Sequence, residues 1–590
     1  MADTTFVNGT VIEADWLQDV NDFVYKGRSL NLADYGADNT GLIDASSAIQ
    51  AAIEAAKALT IDTAYIGAQG VSIYVPDGSY RIDNASIVLN YSGISFTANK
   101  SRGARFFTTK SSSFDMFIVG DVTDVNSTWE NHFHNIYFEA TDKNCINVTA
   151  LHIYRNFGGS LEGCNFHGFY EAVVGERMNR WFITRNKFWQ NRTSNLAPCS
   201  IRLKGLASGS GGGIHATNNE FAGGGVLVPS VDAHILLEEC DGFYGVSLHT
   251  RDCNTGFKTA PTGATGKNVI DSIFMTNCYF DENYEYNVFL AGTVALNGRY
   301  QQIHFNNCYY RGNQGTSTNG IRVSISNSGT FTGKIEGFHF IGGSCRQQSS
   351  TGVVVQGSSS SRLEVYGLNI AKMNFEDNNY GGAASVSGIQ VQAETANIEG
   401  NIFNSDFVAS TNVIDVNLSL ADSLIPSASI CNNDLSKTNA VGPDYITYTK
   451  GVVGATVSLK DNIFPKTGRD IDQTYSLTTT DGSTVTMWDY NAVQQGETGF
   501  IEVKILGANS TGTVRYAHEF KERFYRDSGN LVFQSGTDTA TAVGTALSAG
   551  TLSATLVKNV AGLNIIELRI TGVAATTIDW KAEIKFNILR

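Results

Sequence analysis

A short word recurs down the middle of this chain, in most copies an Asn or Cys two residues ahead of a ring. It reads N-I-Y-F ending at Phe138, C-N-F at Phe166, N-K-F at Phe188, N-E-F at Phe221, N-C-Y-F at Phe280, N-C-Y-Y at Tyr310, F-H-F at Phe340, M-N-F at Phe375, N-I-F at Phe403, N-D-L at Leu435 and N-I-F at Phe464. With D-G-F at Phe243 as a weaker member, eleven intervals cover 326 residues, a mean near 30 with a range of 22 to 37. That length and scatter predict a β-solenoid whose coils carry loops of varying length, whereas a helical repeat keeps a fixed period. Successive side chains of a strand point to opposite faces, so the residue two before each ring shares its side. The rings are therefore expected to stack inward. Beside them, Asn186, Asn219, Asn401, Asn433 and Asn462, with Cys164, Cys278 and Cys308, should form a ladder of small polar and thiol groups.

Composition agrees. Of 590 residues 60 are Gly and only 7 Pro, while 42% are hydrophobic and 17% charged. The core can be large, the surface must be mostly small polar residues, and disorder or a collagen-like packing is excluded. A net charge of −14 repels polyphosphate, so no nucleic-acid partner is expected. Nine cysteines without C-x-x-C spacing indicate buried thiols, neither a disulfide framework nor a zinc ribbon. The first residues lack a positively charged and apolar leader, and no apolar run reaches membrane-spanning length. The expectation is a soluble chain made in a host cytoplasm, with no membrane association.

Ahead of the repeats, Asp44 is a suitable N-cap, and Ala48, Ile49, Ala52, Ile53 and Ala56 make an apolar helical stripe near residues 44–58. Such a helix can shield the open apolar end of a solenoid. The segments D-Y-G-A-D-N-T-G-L-I-D-A-S-S-A-I-Q-A-A-I and V-P-D-G-S-Y-R-I resemble the opening of the pectate-lyase-like, right-handed parallel β-helix superfamily, although Asn39, Thr40, Gly41 and Ala45 depart from its usual pattern. The stretch T-T-F-V-N-G-T-V-I-E-A-D-W-L-Q-D-V-N-D-F-V-Y-K-G resembles the attachment segment of bacteriophage tailspike proteins. After Phe464, alternating runs such as G-F-I-E-V-K-I-L and L-N-I-I-E-L-R-I predict an antiparallel sandwich, and T-T-I-D-W-K-A-E-I-K-F resembles the C-terminal jelly-roll-like domains of phage tail proteins. The expected fold is thus all-β: an attachment segment at 1–28, a right-handed parallel β-helix of about 12 coils at 29–470 with a helical cap, and a β-sandwich at 471–590. The resemblance further implies a homotrimer, joined to a phage tail or adaptor protein through the N-terminal segment and located in the virion.

Tailspikes carry a polysaccharide groove on the outside of the β-helix, so the resemblance implies a bacterial surface polysaccharide, capsule or O-antigen, as partner and substrate. Hydrolysis of a glycosidic bond takes two carboxylates roughly 5–9.5 Å apart. Parallel coils stack about 4.8 Å apart, so the pair must come from one coil or from coils one or two apart. The residue after each inward ring faces out, and this column reads Glu139, His167, Trp189, Ala222, Tyr244, Asp281, Arg311, Ile341, Glu376, Asn404. The densest charged word, F-D-E-N-Y-E-Y, supplies Asp281, Glu282, Tyr284, Glu285 and Tyr286, near His249, Arg251 and Asp252 one repeat earlier and Arg311 one repeat later. Asp281, Glu282 and Asp252 are candidate acid and base, with Glu376 and Asp377 as a second pair and Glu238 and Glu239 a weaker third. Trp189, Tyr284 and Tyr286 are candidate sugar platforms, and His249, Arg251 and Arg311 candidate ligands for acidic or hydroxyl groups. Trp181 is an alternative platform. No metal-binding or cofactor motif is present, and none is expected. The reading is an endo-glycosidase; a lyase acting by β-elimination on a uronate and a non-catalytic receptor-binding spike are the alternatives.

Overall fold

The computed structural model describes residues 29–59, 70–123, 127–190, 192, 196–205, 209–224, 229–261, 269–294, 298–312, 318–327, 334–356, 365–376, 388–404, 413–417, 427–436, 446–449, 456–460, 462, 470–479, 484–490, 498–508, 514–526, 531–544, 553–558, 566–571 and 578–589. The proposed attachment segment, Phe464 and Asp377 lie outside them. The chain divides into two units, one of residues 1–303 and 328–334, the other of 304–327 and 335–590. It is a parallel β-helix, built from long parallel sheets. Among the described residues no helix is long and apolar enough to cross a membrane.

In the first unit a coil contributes three strands, as His132–His134, Ile136–Ala140 and Ile146–Tyr154 do. The first two lie in one parallel sheet and the third in a second. The bend between the first two turns on a single residue with positive φ: Asn135, Arg185, Asn218, Ser247 and Asn277 all lie between 52° and 59°, and Gly163 takes the same place at 65°. Three of these six are Asn and one is Gly, residues that tolerate this conformation better than most, and each lies three positions before the inward residue of the next strand.

In-register pairing turns the word into columns. Phe138, Phe166, Phe188 and Phe221 follow one another strand by strand. Their rings stack at 4.7–4.9 Å and within 7° of parallel. Phe280, Tyr310 and Phe340 are all buried. The registers, however, revise the column's membership. Thr250, not Phe243, pairs with both Phe221 and Phe280, and in the second unit Cys345, not Phe340, continues to Phe375 and Phe403. Phe243 pairs with Ile273 and Phe340 with Ile370, in the column one strand earlier. The outward column shifts with them, so that Arg251 and Arg346 take the places expected for Tyr244 and Ile341. Two strands of each coil carry inward rings, and spacing alone does not separate them.

Beside the rings run the asparagines. Asn219 Oδ1 accepts from the backbone N–H and Nδ2 of Asn186 at 2.9 and 3.0 Å, while Asn219 Nδ2 donates to the Ile183 carbonyl at 2.7 Å. In the second unit Asn401, Asn433 and Asn462 repeat this geometry at 2.9–3.1 Å. All five are buried, and each amide joins its coil to the next.

Helix Ser46–Leu59 is capped by Asp44 Oδ1, which accepts from Ser46 N at 3.0 Å, and it buries Ile49, Ala52, Ile53 and Ala56. Gln50 exchanges two hydrogen bonds with Val88 N and O, at 3.0 and 3.1 Å. Val88 lies in Ile87–Leu89, the end strand of the second sheet, so the Gln50 amide covers a strand edge that would otherwise present open donors and acceptors.

Within the second unit, the described strands from Asp470 to Leu589 form a five-stranded and a three-stranded sheet, both antiparallel. Ile501, Val503 and Trp580 of the larger sheet share a core with Ile566, Leu568 and Ile570 of the smaller.

Asn219→Ala is expected to strand the Asn186 donors and the Ile183 carbonyl in the interior, at about 1–3 kcal/mol per group. Urea unfolding followed by circular dichroism should show a clearly lower midpoint, while the same change at exposed Asn404 should leave it in place.

Candidate functional site

The outer face of the second sheet in the first unit carries a groove of 520 Å³. Strands Ser112–Gly120, Ile146–Tyr154, Glu171–Glu176 and Ala197–Lys204 build it side by side. Its lining includes Phe114, Asp115, Thr149, His152, Glu171, Arg202 and Lys204, with Ser86, Ser113 and Asn147 at its rim. Parallel register decides which of these meet. Asp115 pairs with Thr149 and Thr149 with Glu171, so the two carboxylates stand two strands apart across a single Thr.

Each carboxylate is fixed by a cation. His152 Nδ1 lies 2.9 Å from Asp115 Oδ2, and its Nε2 lies 3.1 Å from Glu176 Oε1. Arg202 donates to Glu171 Oε1 at 3.1 Å and to Glu238 Oε1 at 2.6 Å. Lys204 stands 3.5 Å from Glu176. Burial alone would push the His152 pKa down, but the hydrogen bonds and charges of Asp115 and Glu176 outweigh it and hold it above the ordinary 6.5. Burial likewise acts to raise Glu176, and His152 and Lys204 overcome it, so its carboxyl lies below the ordinary value. Asp115 engages through Oδ2 alone and Glu171 through Oε1 alone, which leaves Oδ1 and Oε2 without a protein partner among the described residues. Two fixed carboxylates with one open oxygen each, beside the Phe114 ring and several hydroxyl and amide groups, suit a sugar chain.

The sequence reading reached none of the lining residues, only Glu238, which binds Arg202 beside them. It expected Glu238 and Glu239 on opposite faces of a strand. The strand ends at Leu237, and both glutamates sit in a bend whose backbone N–H groups turn to Leu203 O, at 2.9 and 3.4 Å. Glu239 is 7% exposed, and its carboxyl packs against Gly205, where a Cβ would come within 2.0 Å of Oε2. Burial without a compensating partner pushes its pKa up to about 7.

The residues singled out in the sequence divide. His249, Arg251 and Asp281 do come together: Arg251 pairs with Asp281 in register, and His249 Nε2 stands 3.9 Å from Asp281 Oδ2. Asp252 and Glu282 follow Arg251 and Asp281 directly, each at positive φ, 59° and 52°. The Asp252 carboxyl is raised by burial, and beyond that by the charges of Glu282 and Asp281, against Arg251 and His249. Trp189 stands in the same outward column as Arg251 and Asp281. The word F-D-E-N-Y-E-Y, however, wraps a corner. Tyr284 is in the turn, and Tyr286 pairs with Thr255 in the second sheet and stacks on Phe289 at 4.4 Å, so it does not share a face with Asp281. Trp181 is fully buried and donates Nε1 to Asn156 Oδ1 at 2.9 Å, a core residue and not a platform. In the second unit Arg311 donates to Gln347 at 3.0 Å. Glu376 engages Arg346 through Oε2, at 2.6 Å, and Asn374 through Oε1, so each of its oxygens already has a protein partner. That unit has its own groove of 400 Å³ over Thr395, Asn397, Ser427 and Ser429, without a carboxylate in its lining.

Compared with known families, residues 29–280 match the model described as rhamnogalacturonase A/epimerase, pectate lyase-like. The resemblance to pectate-lyase-like β-helices is thereby borne out over that stretch. No curated protein matches the chain. Among solved structures, the tailspike protein of E. coli bacteriophage HK620 in complex with a pentasaccharide is 13% identical, with 93% of this chain aligned to 94% of that one at a TM-score of 0.45. The Geobacillus virus E2 protein ORF18 is 11% identical over 94% of this chain and 86% of its own, at 0.34. An exopolygalacturonase from Thermotoga maritima is 11% identical over 60% and 88%, at 0.43.

The raised carboxyl of Glu239 has a consequence for stability. Between the ordinary value of 4.5 and about 7 the folded chain holds a proton that the unfolded chain releases, so stability falls as pH rises through that window. Replacing the group by a neutral amide removes the effect, which is at most about 3 kcal/mol. Glu239→Gln should therefore unfold at a higher temperature than the parent at pH 8 and at a similar one at pH 4.5, by differential scanning calorimetry.

Proposed function

We propose that this chain is a glycan-cutting enzyme that hydrolyses a polysaccharide in the groove on the second sheet, with Asp115 and Glu171 as the reacting carboxylates. The observation that carries this reading is their register. Two strand spacings set them about 9.6 Å apart along the stack, at the upper end of the range of roughly 6.5–9.5 Å that leaves room for a water beside the sugar. One carboxylate then activates that water while the other protonates the leaving oxygen, and the product anomer is inverted. Phe114 offers an apolar face to a sugar ring, and Thr149, Asn147 and Ser113 supply hydroxyl-binding groups. The family match supports a glycan substrate, since it spans every lining residue of this groove.

The finer reading rests on the sequence. The tailspike-like words at 1–28 and near the C-terminus support a phage tailspike that depolymerises capsule or O-antigen at the bacterial surface. In that reading 1–28 docks on a tail or adaptor protein, 29–470 is the catalytic β-helix, and 471–590 trimerises the chain in the virion. A second location for the chemistry is favoured by one observation: the Asp252 carboxyl is raised by burial and, beyond that, by Glu282 and Asp281, which suits it to donate a proton.

Incubation with a panel of capsular and O-antigen polysaccharides, with oligosaccharides read by mass spectrometry, tests the activity. Asp115→Asn and Glu171→Gln should each lower kcat/KM by about a hundred- to ten-thousandfold, the usual worth of positioned acid–base groups, while glycan binding by calorimetry persists. Proton NMR of the first product should show inversion. If those variants keep full activity and Asp252→Asn with Asp281→Asn loses it, the second location is correct. Ultraviolet absorbance from a new C4–C5 double bond would mean elimination, and binding without cleavage a receptor-binding spike.

A further inference from the structure

His152 touches two carboxylates at once. An imidazole donates from both ring nitrogens only when it is doubly protonated, because the neutral ring has one donor and one acceptor. With Nδ1 at 2.9 Å from Asp115 and Nε2 at 3.1 Å from Glu176, the arrangement satisfies every partner only for the imidazolium. Tyr154 stacks on the ring at 4.1 Å and brings its hydroxyl to 3.1 Å from Nδ1, so a neutral ring would find a donor there and turn its acceptor nitrogen away from Asp115. The two carboxylates differ in what else holds them. Glu176 keeps Lys204 at 3.5 Å, whereas Asp115 has no other cation among the described residues. Titratable and charged groups around the ring are Asp115 on the strand before, Glu171 and Glu176 on the strand after, Arg202 and Lys204 on the next, and the neutral Tyr154 hydroxyl on its own strand; Arg202 is committed to Glu171 and Glu238.

From this geometry we propose that His152 is a positioning residue for the reaction proposed above: as an imidazolium it holds Asp115 by Oδ2 so that Oδ1 faces the substrate, and loss of its proton releases Asp115 alone. This deepens the assignment of Asp115 and rests on it. The consequence is an alkaline limit on catalysis set by His152 rather than by the general acid, and lying above the pH at which an isolated histidine titrates.

Two measurements test the proposal, one independent of activity. In the full chain labelled with ¹³C-histidine, the ring signal absent from His152→Gln identifies His152. Its NMR titration midpoint should lie above 6.5 and fall in both Asp115→Asn and Glu176→Gln. A midpoint at or below 6.5, or one that ignores both changes, overturns the proposal whether or not the chain cuts glycans. In the parent, kcat should decline as pH rises through that midpoint. In His152→Gln kcat should fall roughly ten- to hundredfold with KM little changed, and the alkaline decline should be gone. If the variant does not fold, Glu176→Gln serves instead and should move the decline to lower pH in step with the titration. A decline that stays in place while the titration moves assigns the limit to another group and removes His152 from the chemistry. Activity that is absent from the parent on every glycan defeats the reading of the groove, and the titration then still decides whether the double clamp exists.

Discussion

Parallel, in-register stacking governs this protein. Once each coil lies on the one before at strand spacing, every side chain is placed about 4.8 Å from its counterpart, and whatever a position carries becomes a column. Inside, columns of Phe rings stack within a few degrees of parallel, and columns of Asn pass hydrogen bonds from coil to coil. The interior thus has directional order as well as apolar burial. An Asn removed from its ladder deprives two coils, which is why these amides are costly to replace although none lines the groove.

On the outer face the same spacing acts on charge. Unlike charges on adjacent coils fall within ion-pair range, and the groove exploits this by giving each of two cations a pair of carboxylates: His152 holds Asp115 and Glu176, and Arg202 holds Glu171 and Glu238. Half-burial strengthens these pairs relative to open-surface ones. The network fixes carboxylates without consuming all their oxygens, and this separates the groove from Glu376, where both oxygens are taken. Glu239 shows the opposite case, a carboxyl without a cation, and its proton affinity rises accordingly.

Much of the architecture was legible because its signal is local. The N-x-F word marks a bend that needs positive φ followed by an inward pair, and both follow from residue chemistry within a few positions. The capping helix and the alternating C-terminal runs were visible for the same reason. Phe243 and Phe340 were put in the wrong column because two strands of each coil carry an inward ring, and register is a property of pairing, not of the word. Tyr286 left the Asp281 face because the bend at 284–285 sends it to the second sheet. The groove went unread for a different reason. The contacts that build it, Asp115 with His152, His152 with Glu176, and Arg202 with Glu171 and Glu238, join residues 24 to 37 positions apart and form no motif.

The sequence by itself determined that the middle of this chain coils, that rings and amides of the repeated word face inward, and that the chain is acidic, since alternation, bend-forming residues and composition are readable within a few residues of one another. The tertiary structure alone decided which carboxylates stand two strands apart with an open oxygen, and which cation holds each. Those relations depend on how many residues each loop inserts between coils, and loop length sets register without leaving a pattern in the residues that register brings together.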